Sequence, residues 1–512
     1  MPNEAAAPAA PEAAPGGPAP GGIVPGGAGG TAGATAAGMD PAVVKTALIL
    51  IVGALAVVFD TTIVSVALRT LAVKLDTSVA TVQWVTTGYL LALGIAVPLS
   101  TWGLARFGGK RLWIFSLAVF LAGSIGSSLA WNVGALIAWR VVQGVGGGLM
   151  LPLMTTLIFQ AAGGRSLGKL VTYVALPALL GPILGPVLGG AILTHLSWRF
   201  MFWANVPFCV LGILLAWRHL NVDAPPSRDG AAGGRARLDV LGLLLLAPGT
   251  SLVLLGLADA GTDNGFAHRG VLVPLAAGVS LLAAFTGYAL RSRRPLVEIR
   301  LLARRPVASS SAVLFLSGFS LYGAMLLLPL YYQEVRGSTA LAAGVMLVPQ
   351  GVGTVLSRTV AGAGIDRFGS RILALSGFVV VAAATVPFAL AGPHTSGWLL
   401  AGWMVLRGFG MGAVTMPVTV AGYLGLDSRQ IPHSSVLTRT AQQIGGSFGT
   451  AVLAVVLEGA LAAHPGAPAH AFQVAFWWSA GFSALAVPLS LWLPGPQPGP
   501  EAEPGAAAEA GS

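Results

Sequence analysis

The sequence predicts an all-α polytopic membrane protein, built as two six-helix halves with two further helices inserted between them. Three observations carry this. Of the 512 residues, 55% are hydrophobic and only 9% are charged, with a mean hydropathy of +0.80, a composition that no water-soluble domain shows. Apolar stretches long enough to cross roughly 30 Å of hydrocarbon recur from about residue 46 to about residue 493. Motifs near the second and fourth stretches return once, at nearly constant spacing, as in transporters assembled from parallel halves around a midplane site.

In chain order, residues 1–44 are mostly Ala, Pro and Gly with almost nothing to bury, so a disordered tail is expected. The tail lacks the basic start and apolar core of a cleaved signal peptide. Fourteen spans follow, at approximately 46–68, 82–104, 112–131, 134–160, 170–193, 200–217, 238–258, 270–290, 307–330, 339–362, 372–392, 397–423, 438–458 and 472–493. This places the first half at 45–220, the inserted pair with its inner loops at 221–306, the second half at 307–493 and a Pro/Gly/Ala/Glu tail at 494–512.

Basic residues fix the expected orientation, because Lys and Arg favour the cytoplasmic side. With both termini inside, only Arg69, Lys74, Arg199, Arg269 and Arg336 fall outside; Arg140 and Arg407 lie within spans, and the rest of the 28 Lys and Arg residues are on the inner side. The asymmetry accounts for the net charge of +10 without nucleic acid. The expected location is the cytoplasmic (inner) membrane, with a monomer in the lipid bilayer. Cys209 is the lone cysteine, which excludes an intrachain disulfide, and the seven histidines have no metal-ligand spacing, so neither metal nor cofactor is expected.

The repeat locates the inner loops. Arg106-Phe107-Gly108-Gly109-Lys110-Arg111 after span two matches Arg367-Phe368-Gly369-Ser370-Arg371 after span ten, and Gly144, Gly146 and Gly148 of span four match Gly408, Gly410 and Gly412 of span twelve. The loop residues Arg106, Gly108, Lys110, Arg111, Asp366, Arg367, Gly369 and Arg371 are candidates for closing the inner end by bonding to helix ends and acids. Their plainer role is to set topology.

Asp60 is the sharpest single candidate, because a charge near the bilayer centre is expensive and usually functional. At about 1.5 Å per residue it lies about 12 Å below the outer end of span one, and Arg140 about 9 Å below the outer end of span four, so the two are expected to pair. Read structurally, they form a static buried ion pair that orders the bundle. Read functionally, burial favours neutral Asp60 and Arg140 favours its charge, so arriving substrate can displace a proton. Gln143, one turn from Arg140, is placed to orient the guanidinium or face a cavity; Thr61 and Arg407 are further cavity or substrate candidates. Arg407 lacks an obvious acidic partner. Glu458, at the outer end of span thirteen, reads as a solvated helix end or a second proton site.

The stretch Gly181 to Gly190, GPILGPVLGG, puts Gly181, Gly185 and Gly189 on one helical face beside Pro182 and Pro186, with Gly190 closing it. Small residues allow close backbone approach in membranes, and each proline removes an amide donor, so a bendable packing helix between the halves is expected.

These residues resemble the major facilitator superfamily and, within it, the fourteen-span drug:proton antiporter family, over nearly all of 46–493. GPILGPVLGG looks like the antiporter motif of span five, and Arg140-x-x-Gln143-Gly144-x-Gly146 like the span-four motif linked to proton coupling. Asp60-Thr61-Thr62-Ile63-Val64-Ser65-Val66-Ala67-Leu68 resembles the family's first-span motif, and Trp198-Arg199-Phe200 with Asn205-Val206-Pro207 the start of its sixth span. Three departures stand out: Ala105 replaces the usual Asp of the inner loop, and Ser65 and Arg69 stand where Asn and Pro are usual. The resemblance implies a major-facilitator fold and export of amphipathic, often cationic, small molecules in exchange for protons. A sugar or organic-acid uptake carrier is the alternative within the fold, against which the span-five motif argues. A membrane-embedded enzyme would need clustered acids, a metal pair or an activated serine, which the sequence does not present.

Overall fold

The computed structural model describes residues 41–161, 181, 183–220, 238–259, 268–292, 295–426 and 430–495. The helices are α1 (Pro41–Ile63), α2 (Leu68–Lys74), α3 (Val79–Phe107), α4 (Gly109–Ser128), α5 (Val133–Ala161), α6 (Ile183–His195), α7 (Phe200–Trp203), α8 (Asn205–His219), α9 (Val240–Asp259) and α10 (Arg269–Arg291). They continue with α11 (Arg305–Glu334), α12 (Ala340–Met346), α13 (Val348–Ala389), α14 (Gly397–Ala421), α15 (Ile431–Ala463) and α16 (Pro468–Ser490). Among the described residues there are 13 stretches of helix long and apolar enough to cross a membrane. The fifth expected span appears only as α6, a shorter apolar helix, because most of its first part lies outside the described residues. Spans ten and eleven adjoin in α13, which kinks at Gly369.

Lipid explains why these sequences are helical despite their Gly and Pro content: only intrasegment hydrogen bonding satisfies the backbone there, and packed neighbours absorb local breaks. Pro98, Pro152, Pro329, Pro387 and Pro417 all lie inside helices.

The repeat is legible in the packing. Ser78 caps α3 by accepting from Thr81 N, and Thr339 caps α12 by accepting from Ala342 N. Gly108 and Gly369 both adopt positive φ, 79° and 73°, a conformation for which Gly carries no Cβ penalty, and both turn the chain between consecutive spans. The fourth-span glycines behave alike: Gly144 and Gly148 of α5 lie on the carbonyls of Tyr89 and Leu93 in α3, while Gly408 of α14 lies on that of Gln350 in α13. Cβ atoms at these positions would overlap backbone, which is why the pattern recurs.

The halves meet along two lines. The first is α3 against α15, where Gly94 packs on Gln443 and Ile444, Thr440 Oγ1 donates to Gly94 O (3.3 Å), and the hydroxyls of Thr87 and Thr450 lie 2.7 Å apart. From the inserted pair, Leu254 of α9 packs with Leu91 and Ile95 of α3 and Ala451 of α15. The second line is α6, with Gly185 and Gly189 against Thr62 and Ile63 of α1, and Gly190 against Ala340 and Leu341 of α12.

Candidate functional site

The carboxylate of Asp60, three residues from the C-terminal end of α1, is fully buried. Arg140 of α5 donates from Nη1 to Asp60 Oδ2 at 2.5 Å and, from the same nitrogen, to Gln143 Oε1 at 2.7 Å. Gln143 Nε2 donates to Asp60 Oδ1 at 2.9 Å, and Asn205 Nδ2 of α8 reaches the same oxygen at 2.9 Å. Ser124 Oγ of α4 accepts from both amides, at 3.3 and 3.1 Å, and donates to Phe202 O at 2.8 Å. Arg140 Nε donates to Val85 O (3.2 Å), and its guanidinium lies 4.0 Å from the centroid of the Tyr89 ring. Arg140, Gln143, Asn205 and Ser124 are each at most 1% exposed. Helices α1, α3, α4, α5 and α8 thus share one polar node around a single acid. Burial without partners would be costly to Asp60; here both its oxygens are engaged.

Asp60, Arg140 and Gln143 are therefore brought together as the sequence suggests. Thr61 does not reach Asp60: its hydroxyl donates to Val57 O (2.7 Å) and touches the node only through Tyr89, whose hydroxyl lies 3.3 Å away, on the half-buried side of α1. Sequence reasoning missed Asn205, Ser124 and Tyr89 as members. Asn205 alone carried a signal, as a polar residue opening an otherwise apolar span.

The second half carries a counterpart with altered chemistry. Arg407 of α14 is 1% exposed and donates to Thr385 Oγ1 (3.3 Å), Gln350 Oε1 (3.2 Å) and Ser320 O (2.8 Å). By the repeat, Arg407 stands where Gln143 stands and Thr385 where Ser124 stands, and Ser320 contacts Arg407 as Asp60 contacts Gln143. No acid contacts Arg407 among the described residues. The structure also moves Arg439, which the span boundaries put at an inner helix end: it lies within α15, inside the membrane-crossing stretch, and is half-buried.

The span-five motif packs as its spacing suggests. Gly181, Gly185 and Gly189 face Val58, Thr62 and Ile63 of α1, and Thr62 Oγ1 donates to Gly181 O at 3.1 Å. On the other side the carbonyl of Pro186 meets Gly344 of α12. Pro182 lies outside the described residues.

At the end opposite residues 41 and 490, Arg69 Nε pairs with Glu334 Oε1 at 2.8 Å and Arg69 Nη1 donates to Gln333 O at 2.9 Å. Gln333 Nε2 returns a bond to Val66 O at 3.0 Å. These three bonds tie the halves together, and Arg69, a departure from the family pattern, makes two of them. Of the loop candidates, Arg371 Nε donates to Leu493 O (2.8 Å), while Arg106 and Arg111 are exposed, Lys110 is half-buried, and none of these three makes an ion pair among the described residues. The side chains of Asp366 and Arg367 lie outside the described residues.

Comparison with known proteins agrees with this architecture. Residues 50–450 match the sequence family Major Facilitator Superfamily. The chain is 35% identical over 422 residues to a multidrug resistance protein B homolog of Mycobacterium tuberculosis, covering 82% of this chain and 77% of that one. It is 29% identical over 401 residues to the lincomycin resistance protein LmrB of Listeria innocua, covering 78% and 83%. Among solved structures, the nucleoside transporter NupG superposes with a TM-score of 0.62 at 12% identity, over 88% of this chain and 99% of that one. The xylose transporter XylE from E. coli, in a partially occluded inward-open state, gives 0.58 at 16% identity, over 88% and 97%, and both likenesses concern the fold alone. With a matched segment spanning most of the helices and a 35% identical relative, the chain belongs to the Major Facilitator Superfamily.

Proposed function

We propose that the protein is a proton-coupled antiporter that exports drug-like or antibiotic small molecules by alternating access. It works in the cytoplasmic membrane as a monomer of fourteen spans, with both termini cytoplasmic. The observation that carries this reading is the buried node of Asp60 with Arg140, Gln143 and Asn205. A carboxylate at that depth, held by donors from two helices, can accept a proton only if that network rearranges, so protonation and helix position are coupled. The second-half counterpart around Arg407 holds no acid among the described residues, so coupling is assigned to the first half. Resemblance of the chain to resistance proteins, together with the Gly seam of α6 between α1 and α12, supports export over uptake.

In this reading the far end is closed by Arg69, Gln333 and Glu334, and the inter-half hydrogen bonds named above run from that end to mid-depth at Gly94. Substrate enters from the termini side, Asp60 gives up or gains its proton, and the halves rock about α6 to open the other face. The test is a drug-accumulation panel in cells expressing the chain, with and without a protonophore. The reading expects lowered accumulation of at least one amphipathic drug, restored by the protonophore; unchanged accumulation across the panel would contradict it.

A further inference from the structure

The charge inside the bundle is lopsided. Among the described residues, the interiors of the spans hold three guanidinium groups, Arg140, Arg407 and Arg439, against one carboxylate at mid-depth, Asp60. Glu334 and Glu458 lie toward the far end, the former beside Arg69 and the latter beside Ser78. Asp60 is taken up by Arg140. Arg407 is fully buried among neutral groups. Arg439 is the only one of the three that is not sealed.

Helix α15 shows where Arg439 points. One face, with Gln442, Gly445 and Gly449, packs on Gly318, Phe315 and Phe319 of α11. Another, with Thr440, Gln443 and Ile444, packs on Gly94 of α3. At about 100° per residue, Arg439 and Gly446 fall between these faces, on the side that meets Tyr322 of α11. Gly446 is covered there by the Tyr322 ring, and Tyr322 is close enough to interact electrostatically with Arg439 on one side and Tyr89 on the other. Tyr89 in turn carries Arg140 on its ring. A row of phenolic and guanidinium groups thus extends from the Asp60 node past Tyr89 and Tyr322 to Arg439. Gln443, one turn above Arg439, is 5% exposed and its Oε1 has no hydrogen-bond partner. An unpartnered buried acceptor and a guanidinium that no acid contacts among the described residues thus stand on adjacent turns of one wall, a pairing that suits a molecule carrying both an acidic group and a donor.

We propose that Arg439, Gln443 and Tyr322 form the substrate-binding wall of the second half, and that it takes an amphipathic molecule bearing an acidic group, anionic or zwitterionic, in preference to a lipophilic cation. The proposal rests on the efflux reading above and assigns its substrate class. Arg439 binds the acidic group by charge-assisted hydrogen bonds, the half-buried Tyr322 ring contacts the apolar body, and Gln443 Oε1 accepts from a donor on the ligand. A cation in the same place would face unpaired positive charge.

The test compares three dyes that share a xanthene scaffold: fluorescein (anionic), rhodamine B (zwitterionic) and rhodamine 6G (cationic). Gradient-dependent uptake into inverted membrane vesicles containing the full-length chain is measured by filtration, with and without a protonophore. Fluorescein or rhodamine B should accumulate at least tenfold faster than rhodamine 6G; Arg439→Gln should cut that uptake at least tenfold, while Arg439→Lys retains most of it. Rhodamine 6G accumulating as fast as the acidic dyes, or an Arg439→Gln protein that carries them undiminished, would overturn the assignment while leaving efflux standing. Uptake of none of the three would count against both. If Arg439→Gln fails to reach the membrane, the wild-type dye ranking and the Arg439→Lys protein decide.

Discussion

Asn205 Nδ2 stands 2.9 Å from Asp60 Oδ1, so an amide from α8 holds the same carboxylate oxygen as Gln143 of α5. The two helices are thereby tied to α1 through one atom. A hydrogen bond to a charged group contributes about 1.5–3 kcal/mol net. Replacing Asn205 with Ala also strips Ser124 of one donor. The Asn205→Ala protein is expected to melt several degrees lower in detergent and to carry substrate about tenfold more slowly. Thermal unfolding and vesicle transport check this together; wild-type values in both would show that Asn205 is incidental.

The seam of α6 has no spare room at Gly185, which faces the Thr62 side chain. A leucine there displaces either α1 or α6. Gly185→Leu is predicted to abolish transport while the protein still inserts, and Gly185→Ala to reduce it. Immunodetection in membranes separates lost transport from lost protein, and normal transport by Gly185→Leu would remove the packing argument.

The ion pair between Arg69 and Glu334 bridges the halves at the far end, with side chains 43% and 35% exposed. A pair so exposed is worth about 0.2–1 kcal/mol, so breaking it shifts the balance of open and closed states up to about fivefold. Glu334→Gln should therefore raise the accessibility of a cysteine introduced at the far end, and the exchanged pair Arg69→Glu with Glu334→Arg should largely restore closure. Equal labelling rates in all three proteins would deny the pair a gating role.

Arg407 donates to residues of α11 and α13 from its place on α14. Lysine has no planar fork to reach three partners. Arg407→Lys should lower thermal stability by about 1–3 kcal/mol, the cost of leaving buried acceptors unpaired. Because no acid contacts it among the described residues, the dependence of transport on the proton gradient should persist. Loss of that dependence, with transport retained downhill, would move coupling out of the first half.

Much of this architecture was legible in the sequence, because lipid imposes its demands on every span: length, apolarity and the small residues at close crossings all leave marks. The glycines of α5 and α14 and the pairing of Asp60 with Arg140 could be read from spacing and depth. The remaining members of the node could not. Ser124, Tyr89 and Asn205 come from three other helices; Asn205 stood out only as a polar residue opening an apolar span, and a single Ser or Tyr in such a span is common enough to carry no signal until neighbours converge on it. Arg439 was missed for a different reason. The expected span opened at residue 438 and left Arg439 at its inner rim, whereas α15 begins at Ile431 and carries the guanidinium inside. Arg69 was visible only as a departure from a family pattern; its partner, Glu334, is far away in sequence, and contact across the halves is what gives the departure meaning.

If Asp60 exchanges the proton that drives export, movement of a drug must discharge a pH gradient. The experiment uses inverted vesicles holding an acid interior, with the compound that the accumulation panel shows to be most strongly excluded added outside. Wild-type protein should discharge the pH gradient on that addition. Asp60→Asn, nearly the same shape with no titratable proton, should be present in the membrane at normal levels and discharge none of it. Discharge at the wild-type rate by Asp60→Asn would contradict the account.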